Sequence, residues 1–323
     1  VGTLDSDYST PWLNHILHPN WDYMNLNLAK GNDITPKASG PTMTSENAYL
    51  LRIYEKGIAT WMDVFDCSLS YQQALLNLVP SLPLLLNSTC ALAARQLSLI
   101  SSPMVWTPVA ERYYGQSLRI LLHFLNDSPV NMEHAMVAAI LLSSYELLAF
   151  PGHDYQRHFK GAKSFVDSLH AYKSSSRLIR ASFWIYARQE VGEAINLGCP
   201  TMHNPKLWPK LDPSEGDHEE DSWCNDALRL CAETACFVFQ SGPKSRTKKR
   251  AKERLALQAE LDGWLETCPS HLKGIEYDEN GYSRYWFPRP NFGELHTTYD
   301  KVFCTILTSC SNRSSRIGIV PFI

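Results

Sequence analysis

The sequence predicts an all-α protein, an irregular bundle of packed helical hairpins with no significant β-sheet. Three observations carry this expectation. From residue 44 onward, apolar residues recur three and four positions apart, the period of a helix with one buried face. The segments between these runs are rich in Pro, Gly, Asp and Ser, as connections between helices are. No stretch sustains the two-residue alternation of a half-buried strand. Helices joined in this way bury their apolar stripes against one another, and no repeat at a fixed period is present.

The elements follow in order. A first helix is expected over 45–65, with Thr44 or Ser45 as its N-cap. Ala48, Leu51, Tyr54, Ile58, Trp61 and Phe65 form its apolar face. A short helix over 72–79 stops at Pro80, and another covers 84–99. Thr107-Pro108 reads as a cap followed by proline at the first helical position, opening a helix that reaches Leu125. Further helices are expected over 132–150, closed by Pro151-Gly152, and over 155–172, 177–197, 221–239 and 249–267. Residues 1–43 read as a poorly ordered lead-in. Its Trp12, Leu13, Ile16, Leu17, Trp21 and Tyr23 suit either a short docking segment or a latch onto the main domain. Residues 44–310 read as one helical domain, and 311–323 as an irregular tail. The first residue is valine, so sequence upstream is expected.

Of the 323 residues, 44% are hydrophobic and 20% charged, and a chain of this length buries roughly 75% of its unfolded surface without staples. The formal net charge is −3, which lacks the basic excess by which DNA-gripping domains neutralise phosphates. Cysteines stand at 67, 90, 199, 224, 231, 236, 268, 304 and 310, with no C-x-x-C pair. That scatter reads as reduced, buried thiols. Cys224, Cys231 and Cys236 alternate with Leu228, Leu230 and Phe237 in a helical stripe, and read as core rather than as a zinc half-site. The N-terminus shows no signal peptide. The most apolar run, 135–150, is broken by Ser143, Ser144, Tyr145 and Glu146 and falls short of the ~20 apolar residues of a membrane span. No membrane partner is expected.

No constellation for catalysis is present. H-E-x-x-H, G-x-S-x-G, G-x-x-x-x-G-K-[ST] and G-x-G-x-x-G are all missing from the sequence. Asp63 and Asp66 are one acidic pair without a second acidic cluster, and read as a turn. His153 with His158, and His15 with His18, lack further ligands for a metal site. No residue is assigned as catalytic, cofactor-binding or metal-binding. Two charged runs stand out. Residues 212–221 hold six acidic residues in ten. Lys244, Arg246, Lys248, Lys249, Arg250, Lys252 and Arg254 make seven basic residues in eleven, a pattern that suits a nuclear-import signal as well as a solvated loop and helix start.

Four stretches, in order, are similar to a known family. They are Tyr54-Glu-Lys-Gly-Ile-Ala-Thr-Trp-Met-Asp-Val-Phe65 with Ala91-Leu-Ala-Ala-Arg-Gln-Leu97, then Tyr113-Tyr-Gly-Gln-Ser-Leu-Arg-Ile-Leu-Leu122. The third is Ala139-Ile-Leu-Leu-Ser-Ser-Tyr-Glu-Leu-Leu148 with His158-Phe-Lys-Gly-Ala162. The fourth is Ala181-Ser-Phe-Trp-Ile-Tyr-Ala-Arg-Gln-Glu-Val191. Over about residues 45–310 the chain resembles the fungal-specific transcription factor domain, the regulatory region that follows the binuclear zinc cluster in many fungal activators and repressors. The resemblance implies an all-α regulatory domain without catalysis, a nuclear location, and control through co-regulators, a dimer partner or a small-molecule effector. It places zinc, and contact with DNA, only in an N-terminal cluster of two C-x-x-C-x₆-C halves, neither of which occurs in this sequence. The alternative reading is a helical metabolite-sensing module, with a cavity between the helices that carry 140–146 and 183–190.

The fourth stretch also has a physical reading. Phe183, Trp184, Ala187, Val191, Ala194 and Ile195 form a wide apolar helix face. Arg188 stands four residues after Trp184, positioned to stack on the indole or to reach Glu146 or Glu190. A carboxylate and an arginine buried together cost less than either alone. Glu146, Trp184, Arg188 and Glu190 are therefore the candidate structural or effector network. Arg188→Leu is expected to lower thermal stability, and an unchanged melting temperature removes the network.

Overall fold

In the computed structural model, the described residues are 43–127, 132–149, 159, 161–163, 166, 176–209, 218–240, 248–273, 275–279 and 282–286. The lead-in (apart from Met43), the tail, His153 and His158, most of the expected 155–172 helix, Lys244 and Arg246 lie outside them. Nine helices are present among the described residues: α1 (Ser45–Lys56), α2 (Ile58–Met62), α3 (Ala74–Leu78), α4 (Pro83–Ile100), α5 (Pro103–Asp127), α6 (Met132–Ala149), α7 (Arg177–Leu197), α8 (Glu219–Phe239) and α9 (Lys248–Thr267). Two strands follow, β1 (Ile275–Glu279) and β2 (Tyr282–Trp286). The fold class is all-α.

The chain divides into two compact units, Val1–Trp61 with Ser70–Phe183, and Met62–Leu69 with Trp184–Ile323. In the first, α4 is the common neighbour of α1, α5 and α6. Ser88, Thr89, Cys90, Ala91, Leu92, Ala93 and Ala94 are all fully buried. Small side chains on every face allow three helices to approach one axis closely. α6 is buried without interruption from Ala135 to Glu146, as a helix apolar on all sides must be. By length and composition α6 also meets the minimum for a membrane-crossing helix, more than the sequence reading allowed it, but here its faces are covered by protein.

α1 starts where its capping signal stands. Thr44 Oγ1 accepts from Asn47 N (3.1 Å), and Asn47 Oδ1 accepts from Thr44 N (3.1 Å), a reciprocal box. The same Asn47 donates its amide to Tyr113 Oη on α5 (2.7 Å), and Tyr113 Oη donates to Glu46 Oε1 (2.6 Å). Arg112 pairs with that carboxylate too. One cap therefore also ties α1 to α5.

Three boundaries differ from the sequence expectation. The 45–65 helix is interrupted at Gly57, where a Cβ would stand 2.8 Å from the Gln96 side chain on α4; close approach of a neighbour demands glycine there. After Met62 the chain turns, with Asp66 N donating to Asp63 O (2.9 Å) and Ser68 N to Asp66 Oδ1 (3.0 Å), and the segment ends on Leu69 at a left-handed φ of 53°. α5 begins at Pro103, not at Pro108, which sits exposed inside the helix. The amide that Pro108 lacks would have met the carbonyl of Met104, a residue 90% exposed, so water can satisfy it and the proline is tolerated.

The second unit adds the hairpin that the sequence reading lacked. β1 and β2 pair antiparallel, Ile275 with Trp286 through to Glu279 with Tyr282. The connection reads Asn280-Gly281 in the sequence, the strongest short-range hairpin signal there is. The core of this unit includes a cluster of Phe65, Cys224, Ala227, Cys268 and Leu272, with Val64, Trp223 and Trp264 packed on it. Trp264 Nε1 donates to Trp223 O (3.2 Å), fastening α9 to α8.

Asn47→Ala removes a buried amide that serves both the cap and Tyr113, whereas Thr44→Ala removes the cap alone. Chemical denaturation is expected to show a loss of about 1 kcal/mol for Thr44→Ala and about 2–3 kcal/mol for Asn47→Ala.

Candidate functional site

Each candidate residue has a definite setting. In the first unit, Glu146 is fully buried and accepts from Tyr114 Oη at 2.7 Å. Tyr114 stacks on Tyr145 with ring centroids 4.4 Å apart. Burial first, and then the charge of Glu111, push the Tyr145 hydroxyl well above its ordinary range, with Arg95 opposing. Arg95 donates from Nε and Nη2 to Leu148 O (3.1 and 2.9 Å) and from Nη2 to Ala149 O (3.3 Å). A guanidinium on the last carbonyls of α6 satisfies groups the helix leaves open and suits its negative end.

In the second unit, α7 carries the other three. Glu190 is 2% exposed, and one residue meets both its oxygens: His203 N donates to Oε1 (2.7 Å) and His203 Nδ1 lies 3.0 Å from Oε2. The Tyr186 ring meets the imidazole edge-on at 5.5 Å, and Thr201 Oγ1 donates to His203 O (2.7 Å). The loop after α7 is thus clamped back onto that helix. Trp184 packs edge-to-face with Trp208 at 6.1 Å, further along the same loop. Arg188 lies over the Phe65 ring, 5.3 Å from its centroid, a cation–π contact with a ring the sequence reading had not considered. Within this unit, a network joining Arg188 to Glu190 is a proposal, read through Arg188→Leu.

A further polar group closes the start of α8. Asp221 is buried, and its Oδ1 accepts from Cys67 N at 2.9 Å. Cys67 Sγ donates to Glu220 Oε2 at 3.3 Å. Burial raises the Asp221 carboxyl to about 6; the hydrogen bonds from Cys67 oppose this, and the charge of Asp66 adds to it. Burial is also the leading cause that pushes the Cys67 thiol up, reinforced by Asp221 and Glu220, so the thiolate that would make it reactive is suppressed. The sequence placed Asp221 only at a helix start; its partner lies 154 positions away.

The cysteines of α8 are packing groups. Cys224 belongs to the Phe65 cluster, the Cys231 thiol is pushed up to about 12 by burial, and Cys236 Sγ lies 3.1 Å from Thr201 Oγ1. Among the described residues no three His, Cys, Asp or Glu side chains are placed to hold a metal ion. Of the basic run, Lys248, Lys249 and Lys252 are exposed on the first turns of α9. Arg254 is half-buried, and Arg250 lies over the Phe237 ring and donates to Phe237 O (3.2 Å).

Asp221 gives a pH dependence of definite sign. Its folded value is raised above the usual carboxylate value, so its contribution to stability is full below pH ~4 and is lost as pH rises through about 6. Asp221→Asn keeps an acceptor for Cys67 N without the charge. Its stability relative to the parent chain is expected to improve by about 1–3 kcal/mol between pH 4 and pH 7, measured by thermal melts across that range. A constant difference across the range would exclude a buried, titrating Asp221.

The model of the fungal-specific transcription factor domain matches residues 49–230, from α1 to the middle of α8. No curated protein and no solved structure matches the chain. The four stretches noted in the sequence all fall inside that interval, while α9 and the hairpin lie beyond it. The chain belongs to the fungal-specific transcription factor domain family.

Proposed function

We propose that the chain is a transcriptional regulatory domain that acts in the nucleus through protein partners, itself as a dimer, or an effector, and does not itself bind DNA or catalyse a reaction. The observation that carries this reading is the family match across just over half the chain. Charge supports it: a net −3 gives no electrostatic drive toward a polyanion. So does the sequence, which contains neither half of the cysteine pattern by which this family's DNA-binding region holds zinc. Any zinc, and any grip on DNA, would belong to an N-terminal region outside these residues.

The basic run supports the nuclear assignment by an energetic argument. A helix N-terminus carries partial positive charge, so cations there destabilise it, by roughly 0.3–1 kcal/mol each at the surface. α8 follows that rule with Glu219, Glu220 and Asp221 in its first turn, whereas α9 opens on Lys248, Lys249 and Arg250. The only ion pair recorded for the exposed lysines among the described residues is Lys249 with Glu253 at 3.9 Å, on the surface, which contributes little. Helix stability does not account for these lysines, and recognition by an import receptor does.

The test fuses the full chain to a heterologous DNA-binding domain that lacks its own import signal. Reporter output should change several-fold in either direction, with the fusion concentrated in the nucleus. Changing Lys248, Lys249 and Lys252 together to Gln should lower the nuclear fraction several-fold without unfolding the chain. A nuclear fusion with no effect on the reporter would overturn the regulatory reading, and unaltered import in the triple variant would overturn the role of the run.

A further inference from the structure

The corner between α4 and α5 is apolar and open. Leu99 and Ile100 end α4 at 54% and 70% exposure, and Met104 and Val105 open α5 at 90% and 57%. Four large apolar side chains thus stand in water within seven residues. Next to them the Trp106 ring stacks on Tyr49 of α1, with centroids 5.7 Å apart, and Tyr49 is itself 48% exposed. Hydrophobic residues exposed singly need no explanation, whereas a contiguous group marks a surface that something covers.

We infer that this corner is the seat of the chain's own residues 12–23. Trp12, Leu13, Ile16 and Leu17 stand at i, i+1, i+4 and i+5, the spacing of one helical face, opened by Thr10-Pro11 and closed by Pro19. Trp21 and Tyr23 add two aromatic groups just beyond. The segment holds one charged residue, Asp22, among twelve, and an apolar ridge of this kind matches a corner made of Leu, Ile, Met, Val and two stacked rings.

The path of the chain selects this occupant over a second copy. The described structure begins at Met43, directly before the Thr44 cap of α1, and Tyr49 lies on that same helix. From Thr44 to Tyr49 is about 8 Å along the axis. A linker over 24–43 has an r.m.s. span on the order of 25 Å, so the segment can reach the corner without being stretched. A tether of that length holds the segment at an effective concentration of about millimolar, which a free second copy would have to exceed. The inference does not depend on the proposed transcriptional role.

The experiment places a photo-crosslinking residue, p-benzoylphenylalanine, at Met104 in the full chain. That position is 90% exposed, so the fold tolerates it, and the same probe at exposed Lys252 serves as control. Irradiation should give a product of monomer mass whose crosslinked peptide maps to residues 12–23. The double variant Trp12→Ser, Ile16→Ser should reduce that product several-fold while the far-ultraviolet dichroism of the helices is kept. A product of dimer mass would mean that a second copy occupies the corner. Crosslinks to other segments, or a yield to 12–23 no greater than from the Lys252 control, would mean that the corner is not their seat. Each of these outcomes overturns the inference.

Discussion

The first unit depends on a middle stretch of α4, Ser88–Ala94, that has no outside. A helix that touches α1, α5 and α6 at once must be small on every side, and its run of Ser88, Thr89, Cys90, Ala91, Ala93 and Ala94 meets that demand. Buried hydroxyls would make this costly if they sought partners across the interfaces. Most do not. Ser88 Oγ donates to Leu84 O, Ser117 to Tyr113 O, Ser144 to Ile140 O and Ser182 to Leu178 O, each one turn back in its own helix. A serine satisfied in that way packs like an alanine. Close approach is thereby kept at small polar cost, with Thr89 Oγ1 and Gln96 Oε1 left as buried atoms without a hydrogen-bond partner among the described residues, and the same closeness forces glycine at 57, where α1 gives way to α2 against Gln96.

This explains which parts of the fold were legible in the sequence. Helix α7, Arg177–Leu197, coincides with its expectation because the apolar period runs unbroken between Ser176 and Gly198. The Thr44 cap is local chemistry, and local chemistry is written in consecutive residues. Pro108 misled because a proline inside the second turn of an exposed helix looks like one at its start; only the exposure of Met104 separates the two cases. The break at Gly57 depends on a side chain 39 positions away, which periodicity does not contain. The hairpin has a local signal too, weaker than the helical period around it: Ile275 and Tyr277 alternate with polar residues up to Asn280-Gly281.

The candidate residues were legible in kind but not in partnership. An ionisable residue inside an apolar helical run announces burial, and Glu146 and Glu190 are both buried. What meets each of them is decided by the path of the chain. Tyr114 reaches Glu146 from α5, and His203 reaches Glu190 from the loop after α7. Arg188, placed by spacing beside Trp184, lies over Phe65 because the turn after α2 carries that ring to it. The Asp221–Cys67 contact had no sequence signal at all, since neither residue is unusual where it stands.

Glu190 and Asp221, two of the buried carboxylates of the second unit, separate by what they hold. Glu190 is met by a backbone N–H and a ring nitrogen of one residue, so its hydrogen bonds fix a loop to the helix it has just left. Asp221 is met by the backbone N–H and the side chain of Cys67, from a turn far earlier in the chain, with Asp66 close enough to raise its carboxyl further. Burial is the main cause that lifts its carboxyl to about 6; the hydrogen bonds from Cys67 offset this only in part, and the charge of Asp66 adds to it. Ionising a carboxyl held in this way costs stability, because burial of the charge outweighs the Cys67 hydrogen bonds that favour it. The packing of the start of α8 on the turn after α2 therefore contributes most to stability in acid and less as pH rises through about 6, whereas the Trp184–Trp208 and Trp223–Trp264 ring contacts of the same unit do not titrate.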